Sequence, residues 1–281
     1  MNKIDVLCCG LLVADFSFSL PEFPKVDEKV KADSFNLTSG GPAANAALTV
    51  RLLGGSSEVL ATTDNSNLGK LLEDQLLEDG FETSFLIHHA KGLNTAAVLS
   101  HQNGTRQVIS CKATYHPVEL PKIVDNTFPK VLLFDGHQPE LSQKLLNKYP
   151  DCPSILDAGS VHQGTKLLMG QVDWLICSAK FARSYTDKQS LNKAAGSLSK
   201  INQKIIVTDG QRGCFWNIDG VIGQTPAPLV EAIDSNGAGD VFHGAFAYGL
   251  AQDFSVEKNI ALASKIAATS CTQKGIRKIT K

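Results

Sequence analysis

Six short, nearly continuous apolar runs recur along this chain: Ile4–Cys9, Glu58–Ala61, Val131–Phe134, Ser154–Leu156, Trp174–Cys177 and Ile205–Thr208. Runs of this length read as strands buried on both faces, which is the habit of parallel strands covered by helices. Amphipathic segments lie between several of them. From Leu68, leucines recur at Leu71, Leu72 and Leu76 before Gly80 closes the pattern; Pro139 to Tyr149 and Ser190 to Ile201 look similar. The alternation predicts an α/β fold of three layers, α/β/α, around a mainly parallel sheet. In such a sheet ligands gather beyond the carboxyl ends of the strands, where Asp135, Asp157 and Asp209 fall.

Two regions break the alternation. Lys29 to Leu37 alternates polar and apolar residues, and Thr95–Ser100 and Gln107–Cys111 flank a segment holding Asn103-Gly104. That dipeptide favours a tight hairpin, because both central positions of the turn take a positive φ. With no helices between them, these strands predict a small antiparallel sheet beside the main one, formed by segments about 12–39 and 92–115. The pattern fits a lid closing over a substrate, or a plain peripheral hairpin.

The chain has 281 residues and a formal charge of −1, enough material for a sizeable core and no basic run to attract nucleic acid or an anionic membrane. No stretch is long enough to span a bilayer. The apolar run from Val6 to Ala14 is interrupted by Gly10 and bounded by Asp5 and Asp15, so it reads as a first strand, not a secretory leader. Seven cysteines lie in apolar surroundings or near element ends without metal-ligand spacing, as expected of reduced thiols in a cytoplasmic protein. The adjacent pair Cys8-Cys9 would point to opposite faces of a strand.

Asp234-Ser235-Asn236-Gly237-Ala238-Gly239-Asp240-Val241-Phe242 carries the chemistry. Small residues at Gly237, Ala238 and Gly239 let successive backbone N–H groups converge at a helix start, a seat for phosphate oxygens. A carboxylate beside such an anion needs a third party between them. A substrate hydroxyl, deprotonated by Asp240 as it attacks a phosphoryl group, meets that need. Read alone, the segment also fits an ordinary glycine-rich loop with a capping aspartate. A second motif, Gly40-Gly41-Pro42-Ala43-Ala44-Asn45, sets paired glycines and an N1 proline before an alanine-rich helix, with Asn45 one turn inside.

Together the two motifs resemble the signatures of the PfkB, or ribokinase-like, family of carbohydrate kinases, over nearly the whole chain. The resemblance implies transfer of the ATP γ-phosphoryl group to a sugar hydroxyl, with magnesium, and with potassium in some members. It implies Asp240 as catalytic base, Gly237, Ala238 and Gly239 as anion hole, and Asp15, Gly40, Gly41 and Asn45 as the sugar floor. Glu140 falls near a further sugar-side carboxylate, and Arg106 lies on the lid. Thr208, Gly210 and Gly213 match the loop over the nucleotide phosphates, with Ser178 and Ser264 at other nucleotide positions. Asp234, Asn236, Ser270, Gln273 and Gly275 match a monovalent-cation site. Lids in this family often pair across a homodimer.

One family motif is missing. Where many members carry Asn-x-x-Glu, this chain has Ser178-Ala179-Lys180-Phe181. Lys180 could contact phosphate, Asp157 could replace the lost carboxylate, or the protein could be a non-catalytic sugar- or nucleotide-binding sensor. Retention of Asp15, Asp240 and the Gly-Ala-Gly turn favours the working kinase. Arg183, the Gly239–Gly244 segment and Cys271-Thr272 are similar to a branch that includes sulfofructose kinases. That similarity implies a ketose or anionic sugar, with Lys25, Lys29, Arg106 and Lys112 as candidate partners of the anion. A nucleoside kinase on the same scaffold is the alternative acceptor class.

Overall fold

A computed structural model describes residues 2–88, 92–101, 105–113 and 118–277. The first part of the chain runs β1 (Asn2–Gly10), β2 (Val13–Leu20), β3 (Ser34–Gly40), α1 (Pro42–Leu52), β4 (Ser57–Thr63) and α2 (Asn67–Glu78). Then come β5 (Leu86–His88), β6 (Asn94–His101), β7 (Arg106–Cys111), β8 (Thr127–Phe134), α3 (Pro139–Lys148), β9 (Ser154–Ala158) and α4 (Gln163–Leu168). The last part holds β10 (Trp174–Ser178), α5 (Ala179–Thr186), α6 (Leu191–Leu198), β11 (Lys204–Thr208), β12 (Cys214–Ile218), β13 (Val221–Thr225), α7 (Ala238–Ala251) and α8 (Val256–Ser270).

The main sheet has nine strands in the order β13-β12-β11-β10-β9-β8-β1-β4-β5. Every pairing from β11 across to β5 is parallel, and β12 and β13 add an antiparallel edge. Each apolar run of the sequence became one of the parallel strands. Helices α1, α2, α7 and α8 cover one face together with Val6 and Cys8; α3, α4, α5 and α6 cover the other with Leu7 and Cys9. The two adjacent cysteines therefore serve opposite cores, as period-two alternation demands.

The second sheet has four strands, in the order β3-β2-β6-β7. Its outer pairs are antiparallel and its central β2–β6 pair is parallel. The parallel pairing follows from the core: β1 and β5 are parallel, and the chain leaves each of them in the same sense to form β2 and β6. β3 begins at Ser34, opposite Ser19 of β2, and Asp33 before it still donates its N–H to the Ser19 carbonyl, so only the end of the Lys29–Leu37 alternation is strand. The Asn103-Gly104 turn lies outside the described residues, but its flanks pair antiparallel, Ser100 opposite Arg106.

Helices α1 and α7 carry the two glycine motifs, and they pack closely. A Cβ on Gly244 would run into the Ala46 carbonyl of α1 and crowd Thr49. Gly244→Val should therefore cost about 1–3 kcal/mol by overpacking, read as a lower urea midpoint. An unchanged midpoint would mean that the two helices separate freely.

Candidate active site

The starts of α1 and α7 meet at the carboxyl ends of the parallel strands. Gly237 caps α7 with φ +77°, a left-handed conformation that glycine adopts without strain. The N–H groups of the first turn that follow have no intrahelical partner, and Gly239 is open to solvent. Gly41, with φ +103°, turns the chain into α1, and Pro42 occupies its first position. A Cβ on Gly41 would strike the Leu11 carbonyl, and one on Gly40 would strike the Asp15 carboxylate. These glycines let β3 and α1 close around Asp15. Asn45 then donates from Nδ2 to Asp240 Oδ2 at 2.7 Å, joining the two motifs in one hydrogen bond.

Asp15, Gly41, Asn45 and Asp240 line a cavity of about 240 Å³, roofed by Ala96 and Ser110 of the second sheet. That is below the roughly 300–1,000 Å³ of drug-sized pockets and suits one small polar molecule. A wider cleft of about 600 Å³ shares Asp15 and Asn45 and runs under Ser17, Ser19 and Arg106. The second sheet therefore roofs the site and has the position of a lid. Burial, then the charge of Asp240, raises Asp15 to about 6. Burial raises Asp240 to about 7, helped by Asp157 and Asp135 and opposed by the Asn45 bond and His243. A carboxylate held near neutrality can both take and release a proton at physiological pH, the requirement for a general base.

Three further groups position this site; His243 belongs to the Gly239–Gly244 segment, while Asp135 and Asn94 had no motif to announce them. Asp135 accepts from Leu11 N (2.7 Å), Ala43 N (3.3 Å) and His137 N (2.8 Å), tying the ends of β1 and β8 to the start of α1. Asn94, buried at the start of β6, donates to the Leu12 carbonyl and accepts from Ala113 N, bracing both ends of the lid. His243 faces inward against Asp157 rather than into the cavity, as its place one turn beyond Asp240 implies.

The other candidates are more scattered. Arg106 Nη1 reaches Ser235 Oγ at 3.4 Å and bridges the lid to the loop before α7. Glu140 is exposed on the first turn of α3 and lines neither cavity. Gly210 and Gly213 take positive φ in the turn after β11, and a Cβ on Gly213 would strike the Thr225 carbonyl. Thr208 donates to the Cys177 carbonyl, and Arg212 clamps Asp209 with two bonds of 2.6 and 2.7 Å. Ser264 is buried on α8 and bonds the Cys214 thiol. Asp234 accepts from Asn236 N (2.9 Å) and Gly275 N (3.2 Å), so these three gather at one loop crossing. Ser270 turns its hydroxyl onto the Ala267 carbonyl, while the buried Gln273 Nε2 has no partner.

At the missing motif, Ser178 caps α5 by accepting from Phe181 N and donates to the Gly159 carbonyl. Phe181 stands where the glutamate would be, fully buried and stacked on Tyr185 at 5.7 Å. Lys180 is exposed, and Asp157 is turned toward His243.

The profile of the pfkB family carbohydrate kinases matches residues 3–281. Ribokinase of Haemophilus influenzae is 24% identical over 283 residues, covering 95% of this chain and 92% of that one. A solved putative ribokinase from Agrobacterium tumefaciens superposes with a TM-score of 0.91 at 25% identity, covering 99% of this chain and 94% of that one. Arabidopsis thaliana ribokinase, solved with ribose and ATP, gives 0.84 at 20% identity, covering 100% and 96%. The fold is ribokinase-like.

If Asp240 is the base, Asp240→Asn should abolish turnover while substrate binding holds within about threefold, since only the transition state loses an interaction. In the intact protein kcat/KM should fall as pH drops through about 7, where Asp240 takes up a proton. Full activity of Asp240→Asn would remove Asp240 from the mechanism.

Proposed function

Because this chain belongs to the pfkB family of carbohydrate kinases, phosphotransferases that use ATP and an alcohol acceptor, we propose that it phosphorylates one hydroxyl of a small sugar or sugar derivative. The observation that carries this reading is the Asn45–Asp240 bond on the floor of a monosaccharide-scale cavity, directly beside the open first turn of α7. Asp240 takes the proton of the acceptor hydroxyl as its oxygen attacks the γ-phosphorus. The bond to the β,γ-bridging oxygen breaks, and ADP leaves. The Gly237–Gly239 turn and the α7 amides face the charge developing on the transferred group. Asp15 and Asn45 hold neighbouring hydroxyls, and the lid excludes water.

Magnesium is proposed to arrive with the nucleotide, where it would neutralise part of the phosphate charge. Asp234 fits a potassium site in part, since its carboxylate keeps free lone pairs beside Asn236 and Gly275, whereas the Ser270 hydroxyl is spent on its own helix. Among acceptors, a ketose or anionic sugar is favoured. Lys112 lines the small cavity, close to the stacked imidazoles of His137 and His162, 4.6 Å apart. Burial, then His137 and Lys112, pushes His162 down to about 4 against the pull of Asp135, which leaves the Lys112 ammonium in the cavity wall to meet an acceptor's anionic group. All seven cysteines are free thiols, which suits a reducing cytoplasm.

A homodimer through the lid is also proposed. The lid face turned away from the site carries Phe18, Phe35, Leu99 and Ile109 side by side, with Phe35 56% and Ile109 66% exposed. A sheet face of this kind needs cover.

ADP release should be measured with MgATP, with and without potassium, over neutral and anionic aldoses and ketoses and over nucleosides. Turnover on a sugar is the expected outcome. Turnover on a nucleoside alone would move the chain to the alternative acceptor class, and ATP binding without turnover on any acceptor would make it a sensor. Ile109→Glu should shift the protein to monomer in light scattering; a wild-type monomer would remove the dimer.

A further inference from the structure

Beneath Asp240 lies a buried pair that the transfer chemistry does not use. His243, one turn along α7, is 3% exposed, and Asp157 on β9 is 6% exposed. His243 Nδ1 lies 2.6 Å from the Gly239 carbonyl oxygen and 3.2 Å from Asp157 Oδ2, and its Nε2 lies 3.2 Å from the Ile176 carbonyl oxygen on β10. Both carbonyls can only accept. A neutral imidazole has one N–H, so with Nε2 bonded to Ile176 it would aim a bare Nδ1 lone pair at the Gly239 oxygen across 2.6 Å. A proton on Asp157 could satisfy Nδ1 from one side and still leave those two lone pairs opposed. The other neutral tautomer, with its proton on Nδ1, leaves a bare Nε2 against the Ile176 oxygen, so only protons on both ring nitrogens satisfy Gly239, Asp157 and Ile176 together.

Burial opposes charge on either partner: it raises Asp157 to about 8, with Asp135 adding to the effect, and works against a charged His243. The bonds to Gly239 and Ile176 and the charge of Asp240 favour the imidazolium. The pair as a unit therefore keeps one proton near neutral pH, and the short contact to Gly239 decides where it sits.

We propose that Asp157 and His243 form a one-proton ion pair, imidazolium on carboxylate, that pins the first turn of α7 to β9 and β10 and so positions Asp240 and the anion hole. Both are positioning residues: His243 grips the peptide carbonyl just before Asp240, and Asp157 fixes the ring. The pair also sets the field under the base. Asp240 is faced by Asn45 from α1, Asp15 from β2, Asp135 after β8, Asp157 from β9 and His243 from its own helix. An imidazolium among these carboxylates lets Asp240 ionise near neutrality, which the uncompensated charge of Asp157 would hinder. The consequence for turnover rests on Asp240 being the base of the kinase proposed above; the protonation of the pair does not.

Nitrogen-15 NMR of histidine-labelled protein at pH 7 tests the pair directly, with His243→Gln assigning the signals by their loss. Protons on both ring nitrogens of His243 are expected, and an unprotonated Nδ1 would overturn the proposal whatever the protein catalyses. In the ADP-release assay, Asp157→Asn leaves the imidazolium held by the Gly239 and Ile176 carbonyls without its counter-charge and should move the acid limb of kcat/KM down by about one pH unit, with the sugar KM held within about twofold. An unmoved limb in a folded variant would overturn the electrostatic role. Absence of turnover in the unsubstituted protein would instead defeat the kinase reading, and the NMR result would still decide the pair.

Discussion

The Asp135 carboxylate is the knot from which the site hangs. Its two oxygens accept three backbone N–H groups, from the residue that leaves β1 for the lid, from the first turn of α1 and from the approach to α3. At 2% exposure this is a buried charge, tolerable because charge-assisted bonds to fixed donors replace its water. Gly10 has no side chain because a Cβ there would overlap that carboxylate. Since α1 carries Gly41 and Asn45, and Asn45 ties Asp240 to the opposite motif, the position of the proposed sugar floor relative to α7 depends on where Asp135 holds the start of α1.

Gathering Asp15, Asp135, Asp157 and Asp240 at one end of a sheet carries a thermodynamic cost with a definite sign. Asp15 and Asp240 have folded-state values near 6 and 7, above the 3.8 of an unperturbed aspartate. Between those limits the folded chain holds protons that the unfolded chain has released. Their contribution to stability is therefore most favourable below about pH 4 and declines as pH rises toward 7. The same crowding that weakens the fold at neutral pH raises Asp240 into the range where a base is useful. A catalytic site that spends stability on protonation chemistry is the usual trade between stability and function.

The layered core was legible because each parallel strand is buried on both faces, and a short unbroken apolar run has few other uses. The glycine motifs were legible for a different reason. Gly41 and Gly237 occupy backbone conformations that other residues resist, so their chemistry is written locally. What escaped was long-range. Asp135 was placed at a strand end without its three partners, which come from 124, 92 and 2 residues away. Asn94 gave no signal, since its job is to bond the Leu12 carbonyl in the link between β1 and β2, 82 residues away. The antiparallel pattern of the lid was read from its hairpin, but the parallel β2–β6 seam depends on how β1 and β5 lie in the main sheet, which spacing along the chain does not encode.

The lid inverts the usual arrangement of a half-buried sheet. Ser17, Ser19, Asn36, Thr38 and Ser100 look toward the cleft, with Val98 among them, while Phe35 and Leu99 look away from it. The lid's own buried cluster is no more than Leu11, Val13 and Ala96, near its root. Backbone ladders, Asn94 and the packing of Phe16 and Leu37 on the main core hold it in place. Lifting such a sheet exposes mostly hydroxyl and amide groups, which water satisfies at small cost. Closing it gains most when a polyhydroxylated ligand supplies the missing hydrogen-bond partners. A polyhydroxylated substrate would thus complete hydrogen bonds that this face leaves open, and closure of the proposed lid would be coupled to binding.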